Sequence, residues 1–210
     1  MIALKNNIIT VRHRFAQRLK FRNKYGYGVH SPFMFNLVIR ILRGRDKDID
    51  LFFLNKNLPS KNKKYNTMLL KLINYYKPEK ITVRGDGYAE IVEYVNLVWP
   101  NKFKGFYDEK NSEFVCSLET KVITKEVSKI VILRKHSSAT EDICDFINTD
   151  EFKDGKLRGC IIVENINKNS FNHDLWLKLK RLTTVTVDMS KYGILLFDNN
   201  IQKGYYSLRL

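Results

Sequence analysis

The chain has 210 residues, enough for one domain with a substantial core and too few for two of ordinary size. A hydrophobic share of 44% and an aromatic share of 12% suit a packed globule, and no apolar run approaches the roughly 18 residues that argue for a membrane span. The formal net charge of +15 is unevenly placed: residues 1–45 carry ten Lys or Arg and no Asp or Glu, which leaves 27 basic against 22 acidic residues in the rest.

That asymmetry predicts contact of residues 1–45 with an anionic partner, nucleic acid or a membrane surface, against the alternative of a solvated basic face. Arg12 and Arg14 interrupt the apolar stretch a signal peptide needs, so a cytoplasmic protein without a transmembrane segment is expected. Cys116, Cys144 and Cys160 form no Cys-x-x-Cys pair and leave an odd number, which signals reduced thiols rather than a disulfide framework or a zinc site.

In chain order, Leu4, Ile8, Val11, Phe15 and Leu19 recur at helical steps, with Lys5, Arg12, Arg18 and Arg22 elsewhere around the helix. A glycine turn, Gly26-Tyr27-Gly28, leads to Ser31 and Pro32, an N-cap and a first helical residue. Phe33, Met34, Leu37, Val38, Ile41 and Leu42 give the second helix its apolar face, ending near Gly44. Residues 1–45 therefore read as a basic N-terminal helical hairpin. Residues 46–64, rich in Asp, Asn and Lys around an apolar island at Leu51–Leu54, read as a linker. The main domain, 65–210, opens with a helix carrying Met68, Leu69, Leu72, Ile73 and Tyr76, stopped by Pro78.

Strands are expected at Ile81–Arg84, Gly105–Asp108, Val122–Thr124, Ile130–Leu133, Cys160–Glu164, Thr184–Asp188 and Ile194–Phe197. Helical patterns at Ile91–Val98, Ile143–Ile147 and Leu175–Leu182 fall between them. Such alternation predicts an α/β protein with a mainly parallel seven-stranded sheet covered on both faces. The link Met189–Gly193 is too short for a crossover, so the last strand is expected to be antiparallel. Residues 205–210 add a candidate edge strand.

The stretch Lys80–Val92 reads as a strand passing through a glycine turn into a helix, the usual cradle of a nucleotide-like cofactor. Gly85 and Gly87, with Asp86 between them, permit a close turn, and Ala89 is the smallest replacement for a third glycine. The alternative is a tight turn kept for folding alone. His136 and His30 are candidate bases by titration range, yet one stands in a basic loop and the other beside the glycine turn, settings that suit surface and structural roles. No Ser-His-Asp set, Walker loop or paired-carboxylate signature occurs, so those classes have no support.

The sequence Tyr25-Gly-Tyr-Gly-Val-His-Ser-Pro-Phe-Met-Phe35 resembles the N-terminal signature of a family of class I S-adenosylmethionine-dependent methyltransferase-like proteins of Bacteroidetes. Lys64-Tyr65, Leu69–Pro78, the turn around Ile166, Trp176, Val185–Met189 and Gly193–Phe197 are similar to it too, so the likeness spans nearly the whole chain. The resemblance implies the Rossmann-like class I methyltransferase fold, with S-adenosylmethionine bound at Gly85, Asp86, Gly87, Ala89 and, as the ribose-binding acid, Asp108, with Glu109 as its alternative. It also marks departures. The family's acid before the glycine loop is Val83 here, its acid after the fourth strand is Leu133 followed by Arg134 and Lys135, and an Asp-Asp pair after the fifth strand corresponds to Glu164-Asn165. Acids at these last two strand ends bind a divalent cation in related O-methyltransferases, and the substitutions here lead us to expect no metal.

Two functions follow as expectations. One is a divergent methyltransferase, catalytically impaired, with an unassigned acceptor and no assigned catalytic residue. The other is a non-catalytic protein of the same fold that binds an anionic partner through its basic N-terminal segment.

Overall fold

The computed structural model describes residues 31–42, 63–85, 88–98, 103–108, 113–118, 127–134, 157–167, 170–197 and 203–208. The expected first helix of the hairpin, the island at 51–54, the strand at 122–124 and the helix at 143–147 lie outside the described residues.

Helix α1 (Pro32–Asn36) begins as its sequence dictates: Ser31 is extended and its hydroxyl accepts from the Met34 N–H at 3.4 Å, with Pro32 in the first turn. A π-helical segment, Leu37–Leu42, continues it. Helix α2 (Lys63–Tyr76) ends where Lys77 turns left-handed at φ 44° and its N–H reaches Ile73 O at 2.8 Å, just ahead of Pro78. The chain then runs through β1 (Lys80–Arg84), α3 (Tyr88–Val98), β2 (Phe103–Asp108), β3 (Glu113–Leu118), β4 (Val127–Leu133), β5 (Leu157–Glu164), α4 (Ser170–Leu182), β6 (Val185–Asp188), β7 (Tyr192–Phe197) and β8 (Gly204–Ser207).

These strands form a single eight-stranded sheet in the order β2-β3-β1-β4-β5-β7-β6-β8. Following the pairings across it, β3 and β7 run against the other six strands. The mainly parallel α/β architecture is therefore present and compatible with a Rossmann-like fold. The antiparallel β6–β7 pair is also present: Asp188 Oδ1 accepts from the Ser190 N–H at 2.9 Å, and Ser190 is left-handed at φ 70° in the short turn between the strands.

Two expectations are corrected. Among the described residues the sheet has eight strands, not seven, and the strand after the antiparallel one, β8, pairs parallel with β6. A second antiparallel strand, β3, stands between β1 and β2. The cause lies in the link from Asp108 to Glu113, Glu-Lys-Asn-Ser, which is too short for a crossover and makes β2 and β3 a hairpin.

The core fills both faces of the sheet. On one, Met34, Leu37 and Val38 from the first helix join Leu69 and Ile73 of α2, Ile91 of α3, and Ile81, Val83, Ile130, Ile132 and Ile162 of the strands. On the other, Leu175, Trp176 and Leu179 of α4 cover Val131, Leu133, Ile161, Val163 and Leu195. Each such side chain contributes about 1.5 to 3 kcal/mol by leaving water.

Candidate functional site

The carboxyl ends of β1, β4 and β5 form the edge where an open α/β sheet receives ligands. From β1 the chain passes to β2 and β3 on one side and later to β4 on the other, so the switch point falls between β1 and β4. There the Arg134 N–H donates to Arg84 O at 2.9 Å, carrying the ladder one residue past the strands. Gly85 follows with φ 93°, a conformation that only glycine adopts without strain, and α3 starts three residues on.

One strand further, Arg134 and Glu164 meet. The register aligns Leu133 with Val163, which sets the next residues side by side on the α2 face. Arg134 Nε donates to Glu164 Oε2 at 3.3 Å, with side chains only 14% and 8% exposed. Tyr65, in the first turn of α2, is buried above the pair, and its ring stacks on Tyr192 with centroids 4.4 Å apart and planes at 24°. Tyr192 itself is the register partner of Glu164.

Electrostatics follow from this packing. Burial first, then the nearby Glu164 carboxylate, push the Tyr65 phenol well above its ordinary value, and Arg134 opposes them weakly. Tyr192 is raised by the same two causes in the same order. The Tyr65 hydroxyl approaches Glu164 without closing a hydrogen bond of standard geometry among the described residues. At neutral pH both phenols are therefore donors, not bases. Cys160 is buried and burial alone pushes its thiol far up, which makes it inert.

The turn after β5 is braced from two sides. Asn172 Nδ2 donates to Glu164 O at 2.6 Å, His173 Nδ1 lies 2.9 Å from Ile166 O, and Asn167 Nδ2 reaches Ser190 O in the β6–β7 turn. Asn165 takes a left-handed φ of 57° between them. The strand-end backbone is thus held from α4 and from β7.

Of the expected cofactor residues, Gly85 stands at the switch point, and Ala89 is exposed in the first turn of α3. Asp86 and Gly87 lie outside the described residues, as do His30 and His136. Asp108 ends β2, and the register runs Asp108, Glu113, Arg84 across three strands, so Asp108 is two strand spacings, about 9 to 10 Å, from β1. Glu113 is the acid whose position adjoins Arg84. The two positions at which the resemblance implies acids are core: Val83 is 1% exposed in the α2-face cluster and Leu133 is 1% exposed under α4.

The fit to S-adenosylmethionine is divided. Gly85, left-handed and without a Cβ, does not block the close backbone approach that a nucleoside needs. The cationic sulfonium and ammonium groups fit less well, because the adjoining strand ends carry Arg84 and Arg134 and the Glu164 carboxylate is already engaged by Arg134. Among the described residues no three His, Cys, Asp or Glu gather as metal ligands.

Sequence reasoning missed Tyr65, Tyr192 and the pairing of Arg134 with Glu164. The pairing is implied once β4 and β5 are parallel neighbours, since equal offsets past the two strands bring these residues together. The phenols carried no local signal, being separated by more than a hundred residues.

No protein-family model matches the sequence, and no curated protein or solved structure is significantly similar to it.

Proposed function

We propose that the chain is a divergent S-adenosylmethionine-dependent methyltransferase-like protein that receives the cofactor, or its demethylated product, at the Gly85 turn, with methyl transfer impaired. The observation that carries this reading is the left-handed Gly85 at the switch point between β1 and β4, three residues before the helix at Tyr88. S-adenosylmethionine supplies a methyl group on a sulfonium, and its transfer demands mainly alignment with a nucleophile. Among the described residues, the strand ends offer two neutral phenols and a carboxylate paired with Arg134, none of them a ready base. S-adenosylhomocysteine, which lacks the sulfonium charge, is expected to bind more tightly than S-adenosylmethionine. Calorimetric titration of both ligands tests this, and silence at millimolar concentrations of either rejects it.

A second reading is supported by Val83 and Leu133, apolar core residues where an active relative carries acids. In it the chain is a non-catalytic protein of this fold that binds an anionic partner through residues 1–45. Binding should then fall steeply with salt and on neutralising Arg12, Arg14, Arg18 and Arg22. Salt-independent binding counts against it.

A further inference from the structure

Among the described residues, strand β8 ends the sheet and has one neighbour, β6. Its ladder uses the Gly204 N–H, which donates to Thr184 O at 3.0 Å, and the Leu208 N–H, which donates to Asp188 O at 2.8 Å. Backbone groups alternate in direction along a strand. Tyr205 and Ser207 therefore aim their N–H and C=O groups away from β6, toward the open edge, and such an edge is a template for an added strand.

The side chains beside this edge are of two kinds. Tyr205 is 60% exposed, the highest value among the large hydrophobic side chains described, and Leu177 of α4 is 45% exposed. Lys180 ties Tyr205 to α4: its Nζ lies 5.7 Å from the Tyr205 ring centre and 5.5 Å from that of Trp176, the neighbour of Leu177 in sequence. Leu177, Lys180 and Arg181 share one helical flank by their three- and four-residue spacing. Lys203, exposed, stands immediately before β8. Cations in the last turn of α4 suit its dipole, and a lysine beside an edge strand discourages pairing. Neither role calls for an exposed tyrosine and leucine at the same place.

We propose that β8 and the last turn of α4 form a docking edge for an extended acidic segment of another protein. The segment adds as a strand to β8, sets an apolar residue against Tyr205 and Leu177, and places carboxylates by Arg181 and Lys203. Charge decides the occupant. A second copy of this chain paired across a two-fold axis would bring the same cations against each other. The edge is separate from the Gly85 turn, so this proposal stands whether or not S-adenosylmethionine binds.

The test uses the full chain and a fluorescent octapeptide of alternating Val and Glu, read by anisotropy. Saturable binding is expected, with none for the Val-Lys counterpart. Ser207→Pro removes an edge-facing N–H without touching the ladder to β6, and it and Arg181→Glu should each weaken binding about tenfold at unchanged thermal midpoint. Should Ser207→Pro fail to fold, Arg181→Glu on an exposed helix face carries the test. Absence of binding overturns the proposal, as does equal binding of the Val-Lys peptide. Displacement by oligothymidylate with no effect of Ser207→Pro overturns it in favour of nucleic acid, and a dimer that Ser207→Pro dissociates overturns it in favour of a second copy.

Discussion

Gly85 and Gly193 show two different demands on a residue without a side chain. At Gly85 the demand is conformational, since φ is 93°, and Gly85→Ala should cost about 1 to 2 kcal/mol and abolish ligand binding at the turn. At Gly193 it is spatial, because an added Cβ would overlap the Trp176 ring. Gly193→Ala should cost about 1 to 3 kcal/mol by urea denaturation while leaving binding intact. The Arg134–Glu164 pair makes a third prediction. Arg134→Ala strands a carboxylate that is 8% exposed and should cost about 3 kcal/mol, whereas the double change to Met and Leu should cost much less. Equal losses would mean the pair is not energetically coupled. The raised phenols predict a loss of stability at alkaline pH. Tyr65 is raised above its ordinary 10.0, so its contribution is complete below about pH 10 and is lost as pH climbs through the raised value. Tyr65→Phe should flatten that part of the stability profile in alkaline denaturation, and an unchanged slope would remove Tyr65 from the cause.

At the scale of elements, most of the sheet was legible because its strands are short apolar runs separated by clear breaks, and Ser31-Pro32 and Pro78 fixed two helix boundaries. β3 was not read. Glu113–Leu118 mixes two polar residues with four apolar ones and follows β2 by four residues, so it offers neither a run nor a crossover. The rule that made β6 and β7 antiparallel from their short link applies equally to Asp108–Glu113. Strand β3 also separates Asp108 from β1. The consequence is measurable: Asp108→Ala should change nucleoside binding little, and a large loss would restore Asp108 to the site and put the β3 register in doubt.

Across the whole molecule, the fold class was legible in the alternation of strand and helix, whereas the site was legible only in part. Gly85 announced itself through its neighbours in sequence. Tyr65, Arg134, Glu164 and Tyr192 come from four elements, and only sheet order brings them together. The same order explains why, among the described residues, the strand edge is poor in acids: Val83 and Leu133 serve the two cores, and Glu164 pairs with Arg134. The central claim is that a nucleoside-binding turn survives on this edge without the charges that favour a sulfonium. Isothermal titration of S-adenosylhomocysteine and S-adenosylmethionine into the wild-type chain and Gly85→Ala tests it most directly. Tighter binding of the homocysteine form, abolished by Gly85→Ala, is the expected result, and no heat from either ligand at millimolar concentration, or binding indifferent to Gly85→Ala, would contradict it.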